Sequence, residues 1–292
     1  MSGAPQPWVV EAGPASRPLR LGLDGAASES ERRTFATLAT ACGAGRPRRA
    51  DPDETVDLWP LAGDPPAPAG GLAGDAPAGD DDPLGRRLHA LEDALDAATV
   101  ARVAPTDGGE APLLLHASAV THGRGRALLL AGASGAGKST AAVALARAGR
   151  RWVGDECLLL HSDRLAVDVS RRPVALREDV LPWLAPEARV ARAAGKCFWL
   201  GGLPRSTAAR PLRLAAVVLL TPASGDGPPD GPVDPGDAFA RLLACCHHFQ
   251  DQGRAAFTAL AELSRRVPAH ALRTGGGASF PGRLDALLGG PP

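Results

Sequence analysis

The segment Gly132–Ser139, with the sequence GASGAGKS, constrains the fold of this chain more than any other feature. It matches the pattern G-x-x-x-x-G-K-[ST] at every fixed position. It follows the apolar run Ala127–Ala131, which is typical of a buried strand, and precedes Ser139–Ala148, which is typical of a helix. A glycine loop between a strand and a helix directs backbone N–H groups and the positive helix end toward one point, which favours phosphate. The segment therefore predicts a phosphate-binding loop.

The predicted nucleotide site consists of nine consecutive residues. Lys138 supplies the cation for the phosphates, and the Ser139 hydroxyl is the expected Mg²⁺ ligand. The nine residues are Gly132, Ala133, Ser134, Gly135, Ala136, Gly137, Lys138, Ser139 and Thr140.

Lysine is nearly absent from the chain. Of 32 Lys and Arg residues, only Lys138 and Lys196 are lysine. A compact ammonium group follows a phosphate better than the wide planar fork of arginine, which agrees with the assignment of Lys138. Lys196 is a second candidate for contact with a phosphate or a peptide substrate, and the alternative is an ordinary surface lysine.

Overall composition argues against several protein classes. The 32 basic residues balance 32 acidic ones, so no nucleic-acid partner is expected. No apolar run approaches 18 residues, so no membrane association is expected. The first residues, Met1–Val10, do not resemble a signal peptide, and the five cysteines lack disulfide-framework spacing. A reducing, cytoplasmic location is the prediction.

The chain is predicted to have three parts. Residues 1–60 form a smaller N-terminal region, with a helix at Glu29–Ala41, and are expected to take part in substrate recognition. Residues 61–84 are rich in Pro, Gly, Ala and Asp, which predicts a flexible linker because so few bulky apolar side chains cannot offset the ordering entropy. Residues 85–292 form the phosphate-loop domain.

Within this last part, strands alternate with helices, which predicts an α/β core over about residues 110–275. A helix at Arg86–Val103 precedes the core, and residues 223–236 are expected to be a loop. The other predicted elements are the strands Leu113–Val120, Trp152–Leu160, Leu165–Val169, Leu214–Leu220 and Ala269–Arg273, and the helices Asp237–Phe249 and Arg254–Val267.

Two adjacent acids, Asp155 and Glu156, follow Lys138 by seventeen and eighteen residues. Loop, helix and return strand would bring them back beside the phosphates, where one acid can hold Mg²⁺ and the other can accept a proton from an attacking hydroxyl. The alternative is a pair of turn acids at a strand edge. The more usual place for a metal-binding acid, the end of the strand Leu214–Leu220, continues with Thr221 and carries none.

Three features together resemble a known family. They are Leu115-His116-Ala117-Ser118, the loop Gly132–Thr140, and Gly149-Arg-Arg-Trp-Val-Gly-Asp155-Glu156. In order and spacing they resemble the catalytic domain of HPr kinase/phosphorylase, and more closely the HPr-kinase-related proteins found beside peptide-modification genes. The resemblance covers about residues 111–162.

The resemblance implies an α/β fold with a P-loop kinase core of the HPr kinase and PEP carboxykinase type. It implies ATP and Mg²⁺ as cofactors, a serine on a peptide or small protein as acceptor, and compatibility with a homo-oligomer. It assigns Asp155 as general base, Glu156 as the second acid near the metal, Ser139 as the Mg²⁺ ligand and His116 as the histidine that contacts the catalytic acid. Glu156 stands where the family has a second aspartate.

Other interpretations stay open. The chain could be a nucleotide-binding regulatory or scaffold subunit without chemistry, or a small-molecule kinase of the PEP carboxykinase kind. The run Cys245-Cys246-His247-His248 allows a zinc site, but adjacent ligands converge poorly on a tetrahedral ion, and the segment also fits a core-facing helix.

Overall fold

The computed structural model of the protein describes residues 6–15, 19–23, 26–44, 46–51, 57–58, 82–103, 112–184, 187–223, 228–247, 249–275 and 279–289. The chain divides into two compact units. Unit 1 comprises Met1–Ala98 and Arg171–Gly202, and unit 2 comprises Thr99–Ser170 and Leu203–Pro292. Each unit therefore contains two separate stretches of chain.

The strands, in chain order, are β1 (Trp8–Pro14), β2 (Leu19–Leu23), β3 (Arg48–Arg49), β4 (Asp57–Leu58), β5 (Leu113–Thr121), β6 (Arg126–Ala131), β7 (Trp152–Gly154), β8 (Cys157–His161), β9 (Ala166–Val167), β10 (Ser170–Arg171), β11 (Ala175–Arg177), β12 (Val190–Ala193), β13 (Lys196–Trp199), β14 (Leu212–Thr221), β15 (Gly231–Val233) and β16 (Ala269–Arg273). The helices are α1 (Glu29–Ala41), α2 (Pro83–Val103), α4 (Leu181–Leu184), α5 (Pro235–Leu243), α6 (Phe249–Arg266) and α7 (Phe280–Leu287), with α3 (Lys138–Arg147) after β6.

Unit 1 contains a sheet in the order β10-β1-β2-β4, in which β3 pairs with β1, and a small antiparallel sheet in the order β11-β13-β12. Helix α1 begins at a capping box, because the Ser28 side chain accepts from the Glu31 N–H and the Glu31 carboxylate accepts from the Ser28 N–H. A cap of this kind contributes about 0.5–2 kcal/mol. Phe35 and Leu38 of α1 are buried in the core of this unit.

Helix α2 buries Leu88, Leu91 and Leu95, which follow helical spacing, in the same core. Its first turn is capped by Asp82, whose carboxylate accepts from the N–H of Gly85 at 2.6 Å.

The other oxygen of Asp82 accepts from the Arg192 N–H at 2.7 Å, which ties the start of α2 to β12. The helix therefore begins at Pro83, before the predicted Arg86, and takes in the last two residues of the predicted linker. Residues 61–81 of that linker lie outside the described part of the chain.

Unit 2 contains an eight-stranded mixed sheet in the order β15-β16-β14-β6-β5-β8-β9, with β7 also paired to β5. Strand β14 is parallel to both β6 and β16, whereas β5 is antiparallel to β6 and β8. Ala127–Ala131 of β6 are fully buried, as expected for a central strand covered on both faces. Helix α3 packs against β5 and β6, so it lies on one face of this sheet.

The predicted α/β class is confirmed, and so are the bounds of the helix Glu29–Ala41 and the strand Ala269–Arg273. Two element predictions are wrong. The predicted strand Trp152–Leu160 is interrupted at Asp155 and Glu156, which separate β7 from β8. The predicted loop at residues 223–236 includes β15 and the start of α5.

The predicted helix Asp237–Phe249 is confirmed only as far as Leu243, where α5 ends, and the following residues extend the sheet beside β5. The next element is α6, which contains a break at Gly253.

The predicted division into residues 1–60, 61–84 and 85–292 stays a prediction, and the compact units cut the chain at other points. None of the helices in the described part of the chain is both long and apolar enough to span a membrane.

Candidate functional site

The loop of residues 132–137 connects β6 directly to α3 in unit 2. An added Cβ at Gly132 would lie 2.7 Å from the backbone oxygen of Leu220 in β14, so this position accepts only glycine without a shift of the neighbouring strand. Gly137 has φ 87°, a left-handed conformation that suits glycine, and it is the N-cap residue of α3. The strand–loop–helix arrangement expected from the sequence is therefore present.

The Lys138 side chain is folded back onto this loop. Its Nζ donates to the carbonyl oxygens of Gly132 and Ala133, both at 3.1 Å. Only 5% of the residue is exposed. The ammonium group is thus fixed at the loop by two neutral oxygens, and an anion would be a stronger acceptor for it.

The acid pair sits where β7 and β8 meet, opposite the middle of β5. Gly154 pairs with Ala119 and Cys157 pairs with His116, so Asp155 and Glu156 lie across from the two residues between them. Glu156 has φ 60°, an uncommon conformation for a residue with a side chain, and this interrupts the strand. Such backbone outliers cluster at functional sites.

Asp155 is buried, with 4% of the residue exposed. Its Oδ1 accepts a hydrogen bond from the hydroxyl of Ser118, a fully buried residue of β5. The Asp155 backbone oxygen accepts from the N–H of Cys157 at 2.8 Å, which closes a tight turn around Glu156. The carboxylate of Asp155 is therefore held in one orientation by its neighbours.

His116 of β5 contacts the second acid. Its Nε2 lies 3.0 Å from Oε2 of Glu156, and both side chains are about one-third exposed. The N–H of Ala117 donates to the backbone oxygen of Glu156 at 3.3 Å. The predicted histidine and the predicted second acid are thus brought together by a direct contact between their side chains.

The segment Cys245–His247 continues the line of β6 beside β5. β6 pairs with the C-terminal half of β5, and Cys246 forms an antiparallel bridge with Leu115 farther along the same edge. The N–H of His116 donates to the Cys245 oxygen at 2.7 Å. β6 ends where the glycine loop begins, and Cys245–His247 pair with the part of the same β5 edge that lies beyond the end of β6.

Cys245 also connects this segment to the loop, since its Sγ lies 3.6 Å from the Gly132 oxygen. That oxygen is one of the two acceptors of the Lys138 ammonium group. A continuous series of contacts thus runs from Lys138 through Gly132 and Cys245 to His116 and Glu156.

His247 lies on the same face of the extended sheet as His116. The two imidazole rings are stacked, with centroids 5.3 Å apart and planes inclined by 6°. The N–H of His247 donates to the Leu114 oxygen at 2.9 Å, which fixes the backbone that carries the ring. Sequence reasoning missed this residue because it treated residues 245–248 as a helix or a zinc site.

The zinc alternative gains no support in the described part of the chain, where no group of three or more His, Cys, Asp or Glu side chains is arranged to hold a metal. His248 lies outside the described residues. Burial raises the pKa of the Cys246 thiol to about 11, so this thiol is a poor source of the thiolate that zinc prefers.

A second residue that the sequence did not reveal is Arg241 of α5. Its Nη2 donates to the Leu220 oxygen at 3.3 Å and to Oγ1 of Thr221 at 3.0 Å, at the end of β14. The same Leu220 oxygen limits the space at Gly132. Nη1 of Arg241 is buried and makes no hydrogen bond within the described residues. With 30 arginines in the chain, no sequence signal distinguished it.

The remaining predicted residues are found in different places. Ser139 and Thr140 are half-buried in the first turn of α3. Lys196 belongs to unit 1, where its Nζ lies 2.7 Å from the buried carboxylate of Glu92. Its contact with a phosphate or peptide stays a prediction.

The chain matches no protein-family model and no curated protein. Among solved structures it is similar to the HPr(Ser) kinase/phosphatase from Coxiella burnetii, with a TM-score of 0.31 and 12% sequence identity. That match covers 60% of this chain and 93% of the other. A similarity this distant does not show the family, and membership of it stays a prediction.

Proposed function

We propose that this protein is an ATP-dependent kinase that transfers the γ-phosphate to a serine hydroxyl on a peptide or small protein. The observation that carries the proposal is the series of contacts that joins Lys138 of the glycine loop to Glu156, the neighbour of the buried Asp155. A glycine loop and a pair of carboxylates would supply the two requirements of phosphoryl transfer, namely phosphate positioning and activation of the acceptor.

In this proposal residues Gly132–Thr140 hold the phosphates of ATP. The loop and the N-terminus of α3 offer backbone N–H groups and a positive dipole end. Lys138 is held at the loop by the carbonyl oxygens of Gly132 and Ala133 and would exchange these neutral acceptors for phosphate oxygens, which form stronger, charge-assisted hydrogen bonds.

Asp155 is the proposed general base. Its Oδ1 accepts a hydrogen bond from the Ser118 hydroxyl, so one carboxylate oxygen is oriented to accept from an alcohol. A serine hydroxyl of the acceptor would donate to the same carboxylate, which would take its proton as the oxygen attacks the γ-phosphate. General base catalysis of this kind contributes typically about 10²–10⁴-fold to the rate.

The residues at this site fit Mg²⁺. The Ser139 hydroxyl and the Glu156 carboxylate are hard oxygen donors, and Mg²⁺ beside a nucleotide is usually held by one or two protein ligands together with phosphate oxygens and water. The bound ion would neutralise charge that develops on the phosphates. His116 contacts Glu156 and would keep its carboxylate in position.

Arg241 is a further candidate for phosphate contact. Its guanidinium is fixed at the end of β14, next to the loop-facing oxygen of Leu220, and its Nη1 has no hydrogen-bond partner among the described residues. Phosphate oxygens are suited to the planar donor fork of arginine.

The proposal is tested with γ-labelled ATP and Mg²⁺ on an array of peptides that each contain one serine, beside matched alanine peptides. Free L-serine serves as a small-molecule acceptor. We expect label on serine peptides with the wild-type protein, none with Lys138→Met, and unchanged labelling with Arg147→Met, which removes an exposed cation from the same helix.

Other outcomes favour the alternatives. Label on free serine but on no peptide indicates a small-molecule kinase. Lys138-dependent binding of ATP without transfer to any acceptor indicates a regulatory or scaffold subunit.

A further inference from the structure

Unit 1 contains a cavity of about 620 Å³ between one end of its first sheet, one face of α1 and the chain that follows α1. This volume falls within the range of about 300–1,000 Å³ that is usual for ligand sites. The wall includes Trp8, Leu23, Phe35, Ala36 and Pro47. Most of the wall is therefore apolar.

The cavity wall is built on paired strands and a capped helix. Trp8 of β1 pairs with Leu23 of β2 on one side and with Arg49 of β3 on the other. The guanidinium of Arg49 lies 4.2 Å from the centroid of the Trp8 ring and supports its position. Phe35 and Ala36 lie next to each other on α1, which is fixed by its capping box. The cavity is therefore a feature of a packed framework.

The charged residues in the described wall of the cavity are both arginines. Arg32 and Arg46 belong to the wall, and no Asp or Glu does among the described residues. Arg32 is neutralised by Glu29, whose Oε2 lies 2.8 Å from Nη2. Arg46 is exposed and makes no ion pair with any residue that the structure describes. Arg46 thus leaves one uncompensated positive charge at the edge of an apolar cavity.

We propose that this cavity is a docking site for an acidic peptide segment, whose large apolar side chains enter the cavity while a neighbouring carboxylate pairs with Arg46. Burial of apolar side chains supplies affinity, and the exposed charge selects an acidic segment over a basic one. As a site for the acceptor of phosphate, this inference rests on the proposed function. As a binding site, it stands on the geometry of unit 1 alone.

The test measures binding of fluorescein-labelled peptides by anisotropy, without nucleotide. The probes are the blocked peptides Glu-Leu-Phe-Glu, Lys-Leu-Phe-Lys and Glu-Ser-Ser-Glu. We expect the wild-type protein to bind the first at least about tenfold more tightly than the other two, a difference that corresponds to about 1.4 kcal/mol. Equal affinity for all three peptides, or no binding of the first, overturns the proposal.

Two variants locate the site. Ala36→Trp fills the cavity from α1, and Arg46→Glu reverses the charge at its edge without altering the apolar wall. Both should weaken binding of Glu-Leu-Phe-Glu at least about tenfold, and Arg46→Glu should improve binding of Lys-Leu-Phe-Lys. Arg124→Glu, which makes the same change at an exposed turn of unit 2, should have no effect. Because Arg46 is exposed, its variant is informative even if Ala36→Trp does not fold.

Further outcomes distinguish peptide binding from self-association at the cavity, and the docking proposal from the kinase proposal. If no peptide binds and Ala36→Trp changes only the sedimentation of the protein, the cavity is an interface between copies and the proposal is wrong. If docking is confirmed and no phosphate is transferred, the kinase proposal fails and this one holds. If peptides are phosphorylated equally well by wild type and Arg46→Glu, the cavity does not dock the phosphate acceptor and the kinase proposal holds.

Discussion

The imidazole ring of His247 lies parallel to that of His116, with 5.3 Å between their centroids. The two residues are far apart in the sequence, and they meet because Cys245–His247 extends the edge of β5 beyond the end of β6. His116 in turn lies 3.0 Å from the Glu156 carboxylate. His247 is therefore a positioning residue for His116 in the proposed kinase.

Replacement of His247 tests this relationship. His247→Ala should lower kcat and raise the Mg²⁺ concentration needed for half-maximal activity by up to about 10-fold, less than the loss of a residue in direct contact with a metal ligand, because His247 acts on Glu156 through His116. His247→Phe keeps a stacked ring and should recover most of the loss. Equal loss in both variants would contradict the stacking role.

The role of Asp155 is tested by Asp155→Asn. The amide keeps an oxygen that can accept from Ser118 but is a very poor base, so phosphoryl transfer should fall by about 10²–10⁴-fold while MgATP affinity stays within about twofold. Single-turnover transfer and calorimetric binding measure the two quantities. Transfer near the wild-type rate would show that Asp155 is not the base.

A comparison of ATP and ADP affinity distinguishes a phosphate contact of Arg241 from a purely structural role. Arg241→Met should weaken binding of ATP by roughly 10–100-fold, because a charge-assisted hydrogen bond contributes about 1.5–3 kcal/mol. If the guanidinium contacts the terminal phosphate, ADP affinity should change much less. No change for either nucleotide would remove Arg241 from the site.

Lys196 is expected to act on stability and not on catalysis. Its ammonium group pairs with Glu92, of which only 3% is exposed, so Lys196→Met should lower the free energy of unfolding by about 1–3 kcal/mol. Arg177, its partner in the β11–β13 register, forms an exposed ion pair, and Arg177→Met should lower the free energy of unfolding by less than Lys196→Met does. Urea unfolding of the two variants gives the comparison.

The buried carboxylate of Glu92 should also make the stability of the protein depend on pH through His89. The interaction with Glu92 outweighs burial and raises the pKa of His89 above its usual range. Because the raised pKa belongs to the folded state, the stabilisation by protonated His89 is fully present below the unfolded-state pKa of about 6.5 and is lost as the pH rises through the folded-state value. His89→Gln should therefore be less stable than wild type at pH 6, and the difference should shrink at higher pH. A difference that grows with pH would contradict this assignment.

Local signals in the sequence predicted a large part of the fold. The glycine loop, the helix Glu29–Ala41 and the strand Ala269–Arg273 each follow from spacing and end signals that lie within the element. The left-handed conformation of Glu156 did not, because the polar run Gly154-Asp155-Glu156 between two apolar runs does not specify which residue adopts it.

Contacts between distant segments account for the other differences. Apolar spacing alone suggested a helix through Cys245, whereas the backbone there forms hydrogen bonds with the edge of β5. For the same reason His247 and Arg241 were not recognised as neighbours of the loop. The candidate site was predictable where one motif carries it, and not where the sheet assembles it from separate stretches.

Isothermal titration calorimetry of the full chain measures whether residues Gly132–Thr140 bind MgATP. We expect saturable, Mg²⁺-dependent binding of one ATP per chain that Lys138→Met weakens at least about tenfold and Arg147→Met leaves unchanged. Absence of binding by the wild-type protein, or equal binding by Lys138→Met, would contradict it.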